Sequence, residues 1–148
     1  MTMNFPETPE TVKEDFRDIG PAMLITASRF WEDLASSIRV KISDAGWLKK
    51  KLFIWGDIIG KKVVNRETKK IKIPLLLYIL HKVFNILVYR PLLDRIGCSR
   101  FKSAFTGGHP ISPDVILFFR AIGLNLKQCY GLTEAGGIFQ AQPDKEVK

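Results

Sequence analysis

An α/β fold, with sheet and helices in layers and parallel βαβ crossover units, is what this chain predicts. Three observations carry that reading. Residues 101–137, FKSAFTGGHPISPDVILFFRAIGLNLKQCYGLTEAGG, run as strand, helix and strand, with a loop after each strand. Residues 22–26, AMLIT, form a compact apolar run of the kind found in buried parallel strands, and an amphipathic helix follows at once. The third is composition: with 148 residues, 46% hydrophobic and 26% charged, the chain can bury a sizeable core and falls in the soluble globular class. A single domain over residues 1–148 is expected.

In chain order, the first twenty residues are acidic, with Glu7, Glu10, Glu14, Asp15 and Asp18 against Lys13 and Arg17. Thr8 or Thr11 can cap a short helix there, and Pro21 ends it. Residues 1–7 lack the basic start and apolar core of a secretory signal, so a cytoplasmic address is expected. After the first strand Ser28 is placed to cap a helix in which Trp31, Leu34, Ile38 and Ile42 recur every three or four residues, the pattern of a core face.

A second amphipathic segment starts at Gly46, with Leu48, Leu52, Trp55 and Ile59 on one face and Lys49, Lys50, Lys61 and Lys62 off it. Residues 39–72 hold eleven basic residues against Asp44, Asp57 and Glu67, an excess equal to the net charge of the whole chain. Such a basic amphipathic region can attract anionic lipid, nucleic acid or an acidic cosubstrate. Nucleic acid is the poorer match, because Trp47, Phe53 and Trp55 fit the apolar face and do not interleave with the cations.

Residues 73–89, IPLLLYILHKVFNILVY, are the most apolar part of the chain. His81, Lys82 and Asn85 interrupt them, so no unbroken stretch reaches the ~18 to 20 apolar residues of a membrane span. The expectation is a buried or interface-lying helix, opened by Pro74, with Leu76, Ile79, Leu80, Val83, Phe84 and Leu87 as a broad apolar surface. Pro91 predicts a break after Arg90. Cys98 and Cys129 are too few for a disulfide framework or a zinc site and read as small buried residues.

In the unit at 101–137, Phe101 and Phe105 mark a half-buried strand that Gly107 and Gly108 stop. Ser112 suits an N-cap, Pro113 the first helical position and Asp114 the positive end of the dipole. Ile111 and Ile116 can close a hydrophobic staple, Val115, Phe118, Phe119 and Ile122 form the apolar face, and Gly123 supplies the left-handed stop. A second strand covers residues 124–130. Strands joined this way lie parallel, so loops 106–110 and 130–137 should meet at one sheet edge, where open parallel sheets bind ligands. The first loop offers bare backbone at two glycines. The second offers an aromatic face at Tyr130, a hydroxyl at Thr133 and a carboxylate at Glu134, suited to a ring, a phosphate and a metal ion.

Thr106-Gly107-Gly108-His109-Pro110 followed by Tyr130-Gly131-Leu132-Thr133-Glu134 resembles two motifs of the adenylate-forming, AMP-binding enzymes, and of AMP-forming acyl-CoA synthetases in particular. Gly20-Pro21, residues 22–26 and Ser28-Arg29-Phe30-Trp31-Glu32 are similar to the strand and helix that precede these motifs in long-chain fatty acid-CoA ligases. The resemblance implies a portion of the large N-terminal nucleotide-binding domain of such a ligase. It implies that Gly107, Gly108, His109 and Pro110 border the adenine and that Tyr130, beside Gly131, stacks on it. Thr133 would hydrogen-bond phosphate and Glu134 would hold Mg²⁺, the two forming the catalytic pair. ATP and CoA are the implied cosubstrates, and a fatty acid the implied acid. His109 and Cys129 depart from the usual pattern, where a small residue and a glycine are common.

The Gly/Ser/Thr-rich phosphate loop of that family has no counterpart in these 148 residues, nor do its ribose-binding aspartate and its C-terminal lysine domain. The expectation is an internal fragment of a longer ligase, inactive alone and prone to associate through exposed sheet edges. Two other readings stand beside it. One is a non-catalytic relative serving as a binding or assembly module. The other is a peripheral membrane protein built on the basic amphipathic region 39–89.

Overall fold

The structure is a computed structural model and describes residues 18–101, 103–132 and 137–141. The helix expected near Thr8 and Thr11 lies outside them. The described elements run β1 (Met23–Ala27), α1 (Ser28–Ser43), α2 (Trp47–Thr68), α3 (Leu75–Phe84), a π-helical turn (Asn85–Tyr89), α4 (Arg90–Arg95), β2 (Ser103–Gly107), α5 (Pro113–Ala121), β3 (Leu126–Leu132) and β4 (Gly137–Ala141).

The strands form one sheet in the order β1-β2-β3-β4. Both β1/β2 and β2/β3 are parallel, with Leu24 opposite Ala104 and Ala104 opposite Leu126, as the crossover argument requires. The fourth strand was not expected. It pairs antiparallel with β3, which continues two residues beyond Tyr130 and carries a register shift between Tyr130 and Gly131.

The core lies on the sheet face carrying Leu24, Ala104 and Leu126. Trp31 of α1 is its centre, fully buried, with an edge-to-face contact to Phe119 at 5.2 Å and its Nε1 donating to the Phe105 carbonyl at 3.4 Å. The opposite face is less covered. Met23 and Ile25 are exposed, so β1 is a half-exposed edge strand and not the buried one its apolar run suggested. A strand with neighbours on one side only cannot bury both faces unless helices flank both.

Capping differs from expectation at two helices. Ser28 is already the first helical residue of α1, Ala27 takes the cap position, and neither Ala27 nor Ser112 makes a side-chain cap bond. At α5 the Ser112 carbonyl accepts from Val115 and Ile116 instead. The other end of α5 agrees with the sequence. Gly123 sits at φ +94°, Leu124 N–H donates to Phe119 C=O at 2.9 Å and Gly123 N–H to Arg120 C=O at 3.1 Å, a Schellman stop.

The largest correction concerns α2 and α3. Leu48, Leu52, Trp55 and Trp47 of α2 face solvent, and the inward face is Phe53, Gly56, Gly60, Val63 and Val64. Two glycines one turn apart let the helix approach its neighbours: a Cβ at Gly60 would lie 2.5 Å from the Ala121 carbonyl oxygen, and one at Gly56 would lie 3.1 Å from the Tyr89 ring. Tyr89 Oη donates to the Gly56 carbonyl. Close backbone contact has replaced side-chain bulk as the packing device, which an apolar-periodicity argument cannot detect.

Of the two placements expected for α3, burial does not hold, since none of its residues is buried. The continuous run Leu75–Arg95, 21 residues, is long and apolar enough to cross a membrane by length and composition. Its second half is held in the protein, however, with Tyr89 and Leu93 in the core.

Candidate functional site

The parallel pairing of β2 with β3 decides where the candidate residues go. Thr106 stands opposite Gln128, so the chain leaving β2 at Gly107 passes beside Cys129 and Tyr130. A Cβ at Gly107 would lie 3.5 Å from the Cys129 carbonyl oxygen, an ordinary contact. Gly108 has a different constraint. Its φ of +87° lies in the left-handed region with open space around it, so glycine is required there by conformation and not by crowding.

Gly108, His109 and Pro110 are exposed, and Ile111 turns back into the core to start α5. Tyr130 is 61% exposed at the same rim. The register shift after it is the kind of irregularity that re-aims a side chain at a strand end. The register thus sets Gly107 beside Cys129, with Gly108, His109 and Pro110 following at the end of β2 and Tyr130 and Gly131 following Cys129 along β3. Thr133 and Glu134 lie outside the described residues.

Thr106 is completely buried on the helix-facing side, and its Oγ1 has no hydrogen-bond partner among the described residues. Arg120, 7% exposed, donates from Nε to the Leu126 carbonyl at 3.0 Å and so ties the last turn of α5 to the start of β3. The signal for it was a cation in the last helical turn. Both cysteines are buried, as expected. Burial pushes the Cys98 thiol up to about 12 and raises Cys129 as well, with Lys127 opposing the rise at Cys129, so neither is a thiolate nucleophile at neutral pH.

Two cavities among the described residues are lined away from the rim. One of about 430 Å³ lies at the other end of β3 and is bounded by Glu67, Thr68, His81, Arg120 and Asn125. Desolvation lowers the His81 pKa, against a smaller opposing pull from Glu67. The other, about 380 Å³, lies between α1, α2 and the π turn. We place the candidate site at the rim because there the end of β2 presents bare glycine backbone next to β3, which carries the exposed Tyr130 ring. Among the described residues no group of three or more His, Cys, Asp or Glu could hold a metal ion.

The sequence profile of AMP-binding enzymes matches residues 1–148, the whole chain. The chain belongs to the AMP-binding enzyme family. Among curated relatives, "Long-chain-fatty-acid--CoA ligase ACSBG2" of Rattus norvegicus is 26% identical over 127 residues, covering 86% of this chain and 19% of that protein. "Fatty acyl-CoA synthetase A" of Dictyostelium discoideum is 30% identical over 132 residues, covering 88% and 18%. "Acyl-coenzyme A synthetase ACSM4, mitochondrial" of Rattus norvegicus is 31% identical over 134 residues, covering 81% and 23%. The chain thus spans about a fifth of the length of these relatives. No solved structure matches it.

Proposed function

We propose that these residues form one side of the nucleotide site of an AMP-forming acid-thiol ligase that activates a fatty acid with ATP as the acyl-adenylate and passes it to CoA. Family membership and relatives named as acyl-CoA ligases support the reaction class. The observation that carries the site is the parallel pairing of β2 with β3, which sets Gly107 beside Cys129, the residue before the exposed Tyr130.

The rim residues would border and stack on the adenine, which orients ATP, and Thr133 would bond its phosphate. Mg²⁺, when bound, offsets phosphate charge as the carboxylate attacks the α-phosphorus. A single carboxylate such as Glu134 suits this ion, which is usually held by one or two carboxylates together with substrate phosphates and water. Positioning and charge neutralisation would supply the rate enhancement.

In the intact enzyme, Glu134→Ala should depress pyrophosphate release far more than His109→Ala, because a charged phosphate partner outweighs an exposed loop side chain. Equal losses would remove the role assignment. The 148-residue polypeptide assayed alone is expected to bind ATP without catalysing ATP–pyrophosphate exchange, since no stretch of it combines a Gly/Ser/Thr-rich loop with a lysine. Clear exchange by this polypeptide would refute that expectation. Binding without exchange even when the rest of a ligase is supplied would favour the non-catalytic module.

A further inference from the structure

Beneath the rim lies a polar row to which the ligase reading gives no task. Parallel pairing sets Thr26 of β1, Thr106 of β2 and Gln128 of β3 side by side across the sheet. Paired residues of neighbouring strands share a face, and so do residues two apart along a strand. The row therefore lies on the helix-facing side with Leu24, Ala104 and Leu126, as the polar end of an otherwise apolar surface. Thr106 directly precedes Gly107 and Gly108, and Gln128 stands two residues before Tyr130.

Thr106 is the centre of the row. It is fully buried, so its surroundings are set by packed interior and not by which surface further chain covers. Its Oγ1 has no hydrogen-bond partner among the described residues. A hydroxyl in that position is costly, and interiors keep buried polar groups paired with protein or with ordered water. The backbone just before it is already held, since Trp31 Nε1 donates to the Phe105 carbonyl. Neighbouring strands run about 4.8 Å apart, too far for one hydrogen bond between short side chains and the span of two that meet at a water. An internal water requires two to four polar partners. The Thr26 hydroxyl on one side and the Gln128 amide, with two donor hydrogens and two acceptor lone pairs, on the other supply them together with Thr106.

We propose that Thr106 is a positioning residue: its hydroxyl, through one buried water shared with Thr26 and Gln128, pins the carboxyl ends of β1, β2 and β3 together and so sets where Gly107, Gly108 and Tyr130 stand. It acts through the backbone of the two motifs, and only its effect on ATP rests on the ligase reading.

The test is a double-mutant cycle in the 148-residue chain, Thr106→Val against Gln128→Leu, read by urea unfolding, with amide hydrogen exchange and ATP titration of the same proteins. Valine keeps the shape of threonine and removes only the hydroxyl. Thr106→Val should lower the urea midpoint by about 0.5 M, because water and amide lose a partner, and the double variant should fall little further than the single ones. Exchange at Gly107, Gly108 and Tyr130 should rise about fivefold in Thr106→Val and stay within about twofold of the parent in Thr106→Ser, which keeps the hydroxyl. Ile38→Val, a comparable loss of stability in the core away from the row, should leave that exchange unchanged. ATP binding should weaken about fivefold in Thr106→Val and hold in Thr106→Ser. A midpoint that holds or rises in Thr106→Val, losses that add in the double variant, rim exchange that Ile38→Val raises equally, or unchanged ATP affinity in Thr106→Val would each overturn the proposal. A parent chain that binds no ATP would instead fault the nucleotide reading, and the cycle and the exchange would still decide the bridge.

Discussion

Tyr130 is the residue on which the nucleotide reading rests most directly, and its exposure makes it testable without disturbing the fold. Stacking of a base on an aromatic ring contributes ~1–3 kcal/mol by alanine substitution, which corresponds to a loss of roughly tenfold to a hundredfold. Tyr130→Ala should therefore weaken ATP binding by that factor, measured by equilibrium titration, and leave the thermal midpoint nearly unchanged because the ring is 61% exposed. A lowered midpoint with unchanged affinity would make the ring a packing element. At the neighbouring loop the sequence was informative for a conformational reason: Gly108 occupies a left-handed φ that other residues adopt only with strain. His109 carried no such signal, and it stands exposed.

Among the elements, α2 shows how packing can invert an apolar pattern. Leu48, Leu52 and Trp55 looked like its core face and are exposed, while Gly56 and Gly60 mark the face that is buried. Gly60→Ala gains about 1 kcal/mol of helix propensity but forces a Cβ to 2.5 Å from the Ala121 carbonyl oxygen, a clash with backbone. Overpacking of this kind costs about 1–3 kcal/mol, so the net effect in urea unfolding should be destabilising. Helix α3 contributes a pH dependence. His81 has a folded pKa below its ordinary value of 6.5, chiefly through desolvation, so the unfolded chain binds its proton more readily. Its contribution to stability is present above that ordinary value and lost as pH falls through it toward the folded pKa. Urea midpoints at about pH 7.5 and about pH 5.5 should differ less in His81→Gln than in the parent.

At the scale of the whole molecule, the legible parts were those governed by local rules. The parallel crossover, the Schellman stop at Gly123 and the burial of Trp31 all follow from short-range patterns and hold in the structure. What the sequence hid depends on contacts distant along the chain. Strand β4 needed a partner edge on β3, Gly60 needed Ala121 opposite it, and the exposure of α3 depends on how the described elements pack around it. The rim was readable because two motifs with backbone requirements were joined by one helix. The π turn at Asn85–Tyr89 adds a last point. An α-helix advances about 100° per residue, and a π turn accommodates one residue more than a regular turn does. That surplus residue sets the angular phase between Leu75–Phe84, whose oily side looks outward, and Arg90–Arg95, which the core grips through Leu93. Deleting one residue there would straighten the rod and swing its outer half by about a quarter turn, pulling Tyr89 away from Gly56 or rolling the oily side toward the protein. One extra link in the chain thus lets a single helical rod serve two opposed environments.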